Sequence, residues 1–162
     1  MQSISPTILR KALGEFPTGV TVVAVKAAGI VHGATVASFM GVSLDPPIVL
    51  VSLQRRAKIA RAIQERPFSI SILAHDQEWL ARHFAGEQAL SPIPWCDHDN
   101  SLIEGATVHI KCAPWQQQIV GDHLVVFGRV TAIQIPNSPP LVYHRGDTST
   151  KLTQREVKAH YG

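Results

Sequence analysis

Apolar positions recur at helical spacing at the start of the chain and at strand spacing through most of the rest. In PTILRKALGEF, residues 6–16, Ile8, Leu9, Leu13 and Phe16 form an apolar stripe, with Ser5 as N-cap and Pro6 at the first helical position, so a helix ending near Phe16 is predicted. TGVTVVAV (18–25) is rich in β-branched residues, KAAG (26–29) suits a short turn, and IVHGATVAS (30–38) returns as a second strand, which together predict a hairpin. PIVLVSL (47–53) and FSISILA (68–74) predict two more strands, Ser69 and Ser71 alternating with Phe68, Ile70 and Ile72. Between them AKIARAIQER (57–66) carries Ile59, Ala60 and Ile63 on one side and stops at Pro67, as a helix would. A third helix is predicted over QEWLARHFAG (77–86), with Asp76 as N-cap, Trp79, Leu80, His83 and Phe84 on one face and Gly86 at the C-terminal end. Residues 87–100 read as a long irregular loop. ATVHIKC (106–112), DHLVVFGRVTAIQI (122–135) and PLVYHRG (140–146) close the pattern with further strands.

At least six strands and a few short helices make the chain mainly β, and a closed or nearly closed barrel with helical decorations solves the exposed-edge problem at this size. A length of 162 residues fits one domain over 1–162. With 45% hydrophobic and 17% charged residues the composition is globular, and no apolar run reaches the roughly 20 residues of a membrane helix. The N-terminus lacks the pattern of a secretion signal, and Cys96 and Cys112 are too few for a disulfide framework, so a cytoplasmic protein is expected. A net charge of +3 suggests a mild preference for anions and is far too small to imply a nucleic-acid protein.

Candidate chemistry begins with HGATVASFMGVSLDPPIVLVSL (32–53), where Thr35, Ser38 and Ser43 bring hydroxyls between strand-like ends and Gly41 and the Asp45-Pro46-Pro47 corner break the period. After it, Arg55, Arg56 and Lys58 crowd a predicted helix start, where cations oppose the helix dipole unless an anion is present. A phosphate there would be completed by Ser52 and Gln54, with Thr35 and Ser38 approaching from neighbouring strands; the plain alternative is a solvated basic face. GxGxxG and GxxxxGK[ST] are both absent, so a nucleotide must bind without the Rossmann or P-loop architecture. Gly121, Asp122 and His123 stand at the mouth of a long strand, and Tyr143, His144 and Arg145 follow in the last one; a turn histidine and an exposed edge strand are the ordinary readings. CDHD packs Cys96, Asp97, His98 and Asp99 into one loop without paired CxxC or HExxH spacing, and no GxSxG elbow occurs, so neither a metal site nor a serine hydrolase is expected.

Together FPTGVTVV, GATVASFMGVSLDPPIVLVSL, FSISILAHDQEWLARHFAG, GDHLVVFGRV and PLVYHRG, in this order and spacing from about Leu9 to Leu152, resemble the short-chain flavin reductase family. The resemblance implies an FMN-binding split β-barrel, Greek-key-like, usually homodimeric, that passes hydride from NADH or NADPH to FMN or FAD and serves as the reductase component of a two-component flavin-dependent monooxygenase. It implies that Thr35, Val36, Ala37, Ser38, Ser43 and Leu44 line the flavin, that Ser52, Gln54 and Lys58 reach toward its phosphate, and that His123 and Tyr143 face the nicotinamide as the catalytic pair. Where the family often carries Asn this chain has Gln54, which shifts the expected phosphate contacts toward Arg55, Arg56 or Lys58. The rival readings are a flavin- or haem-binding barrel without turnover and a barrel that binds only a protein partner.

Overall fold

The computed structural model describes residues 3–89, 91–97, 101–136 and 138–148. The first helix, α1 (Pro6–Gly14), begins as its sequence dictates, with the Ser5 hydroxyl accepting the Ile8 N–H at 3.3 Å, and ends two residues before Phe16. None of its residues is buried, and the stripe of Ile8, Leu9, Leu13 and Phe16 faces outward.

The run at 18–25 divides in two. β1 (Thr18–Gly19) pairs with β9 (Val142–Tyr143) in a small ribbon, while β2 (Thr21–Ala27) enters the main sheet and forms the expected hairpin with β3 (Ile30–Val36). Ala28 and Gly29 both have positive φ, 49° and 79°, which gives a two-residue turn the twist that matches the strands. There follow β4 (Met40–Leu44), β5 (Pro47–Gln54), α2 (Lys58–Ala62), β6 (Phe68–Ile72), α3 (Glu78–Phe84), β7 (Val108–Val120) and β8 (His123–Gln134). Both helices are shorter than their sequence patterns. At α3 the N-cap is Gln77 rather than Asp76, because the buried Gln77 side chain accepts the Ala74 N–H at 3.0 Å and donates to the Glu104 carbonyl at 2.7 Å, tying the helix start to the following loop.

β7 outruns its prediction by a full turn of sheet. Pro114 and the Gln116–Gln117–Gln118 run break the apolar alternation, and the ladder to β8 shifts register at Lys111/Cys112 and Pro114/Gln116 to accommodate them. Ile119 and Val120 are exposed near the tip of this hairpin, and Trp115 is exposed further back at the second register shift.

The seven-stranded sheet has the antiparallel order β3-β2-β6-β7-β8-β5-β4, so its two edges are strands consecutive in the chain. Residues 37–39 carry the chain from one edge to the other. The sheet therefore curls into a barrel whose edge strands β3 and β4 are joined by the chain and not by a ladder of hydrogen bonds, a split barrel. The run at 22–25 of β2 is apolar without alternation because both faces are covered: Val23 and Val25 point into the barrel with Val51, Ile70 and Val126, closed by Ile59 and Ile63 at α2. On the other side Val22, with neighbouring Val20, packs against Leu73, Leu80, Ile103 and Leu141 under α3. Asp97 ties residues 91–97 to 101–103: its carboxylate accepts from Ser101 N (2.7 Å), Leu102 N (3.0 Å) and Ser101 Oγ (2.9 Å) and faces Lys111 Nζ at 3.2 Å. Its neighbours His98 and Asp99 lie outside the described residues. Among the described residues no helix is long and apolar enough to cross a membrane.

Candidate functional site

The seam of the split barrel organises the candidate residues. The β3 ladder stops at Val36 and the β4 ladder starts at Met40, so residues 37–39 carry backbone groups outside either ladder. Ser38 closes the gap below them: its hydroxyl donates to the Ser52 carbonyl at 2.9 Å and accepts the Ser52 N–H at 3.1 Å, acting as a one-residue extension of β4 along β5. The O–H of Ser38 is thus spent on the fold. Thr35 is similarly engaged, donating to the Ala81 carbonyl of α3 at 2.6 Å. Val36 is 6% exposed inside the core, and its carbonyl accepts the Thr21 hydroxyl at 2.8 Å, so it supports the seam and offers little to a ligand. Ser43 is half-buried, and Leu44 projects almost wholly into solvent.

On one side of the seam is a cavity of about 390 Å³ lined by Val20, Thr35, Ala37, Glu78, Ala81, Arg82, Tyr143, Gly146 and Thr148 among others. Glu78 accepts from Arg82 Nη2 at 2.6 Å and Nε at 3.0 Å, an i,i+4 pair on the outer face of α3. Hydrogen bonds from Thr148 and then Arg82 hold the Glu78 carboxyl below its ordinary range. Tyr143 reaches this cavity because β9 pairs with β1, Tyr143 opposite Thr18.

Two residues beyond Ser52 along β5, a distance of about 7 Å, lies a basic cleft of about 780 Å³ lined by Gln54, Arg55, Arg56, Arg61, Gly121 and Asp122. Ladder pairing sets Gln54 opposite His123, and the Arg55 N–H donates to the Asp122 carbonyl at 3.0 Å, so the β7–β8 turn and the end of β5 form one rim. His123 Nδ1 is 2.8 Å from Asp122 Oδ1, and this bond holds the Asp122 carboxyl below its ordinary range.

The predicted residues therefore gather in two groups. Thr35, Ala37 and Tyr143 share the α3 cavity, while Gln54 and Arg55 share the basic cleft beside His123; Ser38 and Ser52 stand at the seam between. Lys58 is the first residue of α2 and does not line the cleft; Arg61, which the apolar reading of that segment passed over, does. His123 and Tyr143 belong to different groups in one protomer. Glu78 and Arg82 were legible only as an i,i+4 charge pair, a pattern most surface helices share.

These features suit a flavin. Its ring edge needs N–H donors of the kind left unladdered at 37–39, and its phosphate needs a basic cleft a short distance along the same strand.

Comparison with known proteins bears on the same question. A model of the flavin reductase like domain matches residues 13–151. An NADH-dependent flavin reductase from Rhodococcus sp is 42% identical over 150 residues, 88% of this chain and 85% of that protein. The reductase component of 4-hydroxyphenylacetate 3-monooxygenase from Thermus thermophilus is 33% identical over 136 residues, 83% of this chain and 89% of that one. The solved structure of the flavin reductase PheA2 in its native state superposes with a TM-score of 0.88 at 34% identity, covering 93% of this chain and 100% of that chain.

Proposed function

Because the chain belongs to the flavin reductase like family, we propose that it is an NADH-dependent flavin reductase that transfers hydride to FMN or FAD in the cytoplasm, acting as one domain over 1–162. Reduced flavin would pass to a partner flavin-dependent monooxygenase. The observation that carries this reading is the 42% identity, over 88% of the chain, to an NADH-dependent flavin reductase; the seam and its flanking cavities supply a physical reason.

Flavin, when bound, supplies the two-electron acceptor. The chain's part is to hold, orient and dry. Backbone N–H groups at 37–39 and in the following strand offer fixed dipoles to negative charge developing at a ring oxygen, at no cost of reorganisation. Gln54, Arg55, Arg56 and Arg61 provide charge-assisted bonds for a phosphate. No side chain has to move a proton for hydride transfer, so His123 and Tyr143 act as orienting groups: His123 through an imidazole held by Asp122, Tyr143 through a ring facing the α3 cavity.

A homodimer is part of the same proposal. Ile8, Leu9, Leu13 and Phe16 on the helical segment and Trp115, Ile119 and Val120 on the β7–β8 hairpin are exposed apolar side chains that an interface would cover. Association through a two-fold axis would cover them and bring the His123 group of one protomer toward the partner. A monomer by light scattering that reduces flavin at full rate would remove it.

The test of function is NADH and NADPH oxidation with FMN, FAD and riboflavin. Flavin-dependent oxidation of NADH, faster than of NADPH, is expected. Flavin binding without oxidation would leave a flavin carrier, a Soret band with haem would redirect the reading to a haem module, and indifference to all three flavins would leave a barrel for protein partners.

A further inference from the structure

Helix α1 is turned the wrong way round for a helix packed on a protein body. Its residues Thr7, Arg10, Lys11 and Gly14 are spaced 3, 1 and 3, which places them on one face, and this polar face lines a cavity of about 730 Å³ with Glu15, Tyr143, Arg145 and Gly146. The apolar residues Ile8, Leu9 and Leu13 point away from it. An amphipathic helix normally buries the apolar side; here the groove between helix and barrel is kept basic.

The groove is built rather than incidental. The Arg145 N–H donates to the Gly14 carbonyl at 3.0 Å, and its guanidinium grips Glu15 Oε2 through Nε at 2.9 Å and Nη2 at 2.6 Å, so the end of α1 is fastened to the turn after β9. Arg145 and Gly146, at φ = 54° and 86°, are the two residues of a tight turn closed by reciprocal His144–Asp147 backbone bonds of 2.8 and 2.9 Å, the same turn geometry as Ala28-Gly29. Arg10, Lys11 and Arg145 face one carboxylate, Glu15, which the bond from Arg145 keeps ionised, so the lining retains a surplus of two positive charges. Tyr143 and Gly146 line both this groove and the α3 cavity that holds Thr35 and Ala37, making the two adjoining lobes of one depression.

We propose that this groove takes the pyrophosphate–adenosine half of the nicotinamide dinucleotide, whose reacting ring lies in the adjoining α3 cavity, and that α1 is the element that grips it, the flavin's own phosphate being held in the separate cleft of Gln54, Arg55, Arg56 and Arg61. The proposal rests on the flavin reductase reading for the identity of the reacting ring. It rests on the groove alone for the anion. NADH carries the required pyrophosphate and adenosine; FMN and riboflavin lack them.

The test uses the full chain carrying Arg10→Glu and Lys11→Glu, with melting as the check on folding; Arg10→Gln with Lys11→Gln replaces it if the reversal does not fold. ADP binding is measured by calorimetry at low and moderate salt, and steady-state KM values are taken for NADH, FAD, FMN and riboflavin. Two exposed charge-assisted contacts should make ADP binding about tenfold weaker and flatten its salt dependence. An accompanying rise in the NADH KM with the FAD/FMN ratio unchanged supports the proposal; a fall of FAD relative to FMN with NADH unchanged overturns it, since the flavin dinucleotide would then occupy the groove. Unaltered ADP binding and KM values in a folded variant overturn it, as would FMN weakening as much as FAD while riboflavin holds, since the flavin's own phosphate would then occupy the groove. The two readings fail separately. A parent protein that never reduces flavin but loses ADP with these substitutions keeps the groove and loses the reductase reading; intact flavin reduction with ADP indifferent to them does the reverse.

Discussion

Ser38→Ala separates a hydroxyl that binds flavin from one that closes the barrel. Ser38 makes two hydrogen bonds to the Ser52 backbone, at 2.9 and 3.1 Å, and its single O–H is the donor in one of them. Each such bond is worth about 0.5–1.5 kcal/mol net, and because Ser38 is exposed and water can replace part of the loss, the variant should be about 1–2 kcal/mol less stable. For a domain of this size that is roughly 2–8 °C in Tm. Urea unfolding should show a lower midpoint with an unchanged slope, since the surface exposed on unfolding is the same. Flavin titration should show FMN and riboflavin weakened equally and only slightly, because the lost group touches the protein and no phosphate. An unchanged urea midpoint together with a tenfold loss of flavin affinity would refute the reasoning and return the hydroxyl to the ligand.

Arg55→Gln and Arg56→Gln should each weaken FMN roughly three- to tenfold while sparing riboflavin, whereas Lys58→Gln, outside the cleft lining, should leave the ratio unchanged; equal effects of all three in paired titrations would make the cluster an ordinary solvated face. In Gly33→Ala the new Cβ would lie 2.5 Å from Phe84 Cε1 and 2.6 Å from Cδ1, an overpacking cost of about 1–3 kcal/mol. Adding Phe84→Leu should restore part of it, and strictly additive losses in a double-mutant cycle by denaturation would show that β3 and α3 do not meet there. Burial opposes ionisation of Asp97, but the N–H groups of Ser101 and Leu102, the Ser101 hydroxyl and Lys111 outweigh it and hold the carboxyl below its ordinary range. The unfolded chain then binds more protons, so this stability is present above the ordinary carboxylate pKa of about 4 and is lost as pH falls below it. Asp97→Asn should flatten the acid limb of the urea midpoint against pH, and an identical acid limb in parent and variant would remove Asp97 from the latch.

Strand patterns were readable where a strand meets water on one side or is buried on both. β2 shows continuous β-branched residues because Val23 and Val25 face the barrel while Val22 faces α3, and the hairpin to β3 was legible from its turn residues. β4 was not, since Met40, Val42 and Leu44 are exposed at a sheet edge and nothing in their order announces a partner. The outer half of β7 was missed for the same reason: a proline and three glutamines can extend a ladder that the adjoining strand templates, and local pattern does not report the template. The resemblance in five ordered segments carried the fold further than periodicity did.

Site residues pose a different problem, because a side chain's chemistry is visible in sequence and its prior engagement is not. Ser38 and Thr35 have the hydroxyls a flavin site would use, yet both donate to backbone carbonyls that the fold would otherwise leave bare, Ser52 across the seam and Ala81 at α3. Lys58 and Arg61 differ by three positions, and only the short helix with its particular start decides which of them turns to the cleft. Helix α1 takes the argument one step further. Its apolar stripe identified it as a helix correctly, but a stripe says only that something apolar covers it, not that the cover lies in the same chain. Once the structure sets Thr7, Arg10 and Lys11 toward Tyr143 and Arg145, the two faces have separate demands: an anion on the inner side and an apolar surface on the outer. On the two proposals above, ligand and partner would stabilise this helix together. Occupancy of the inner groove should therefore favour the ordered helix, which is the form that presents a complete apolar face to a second copy.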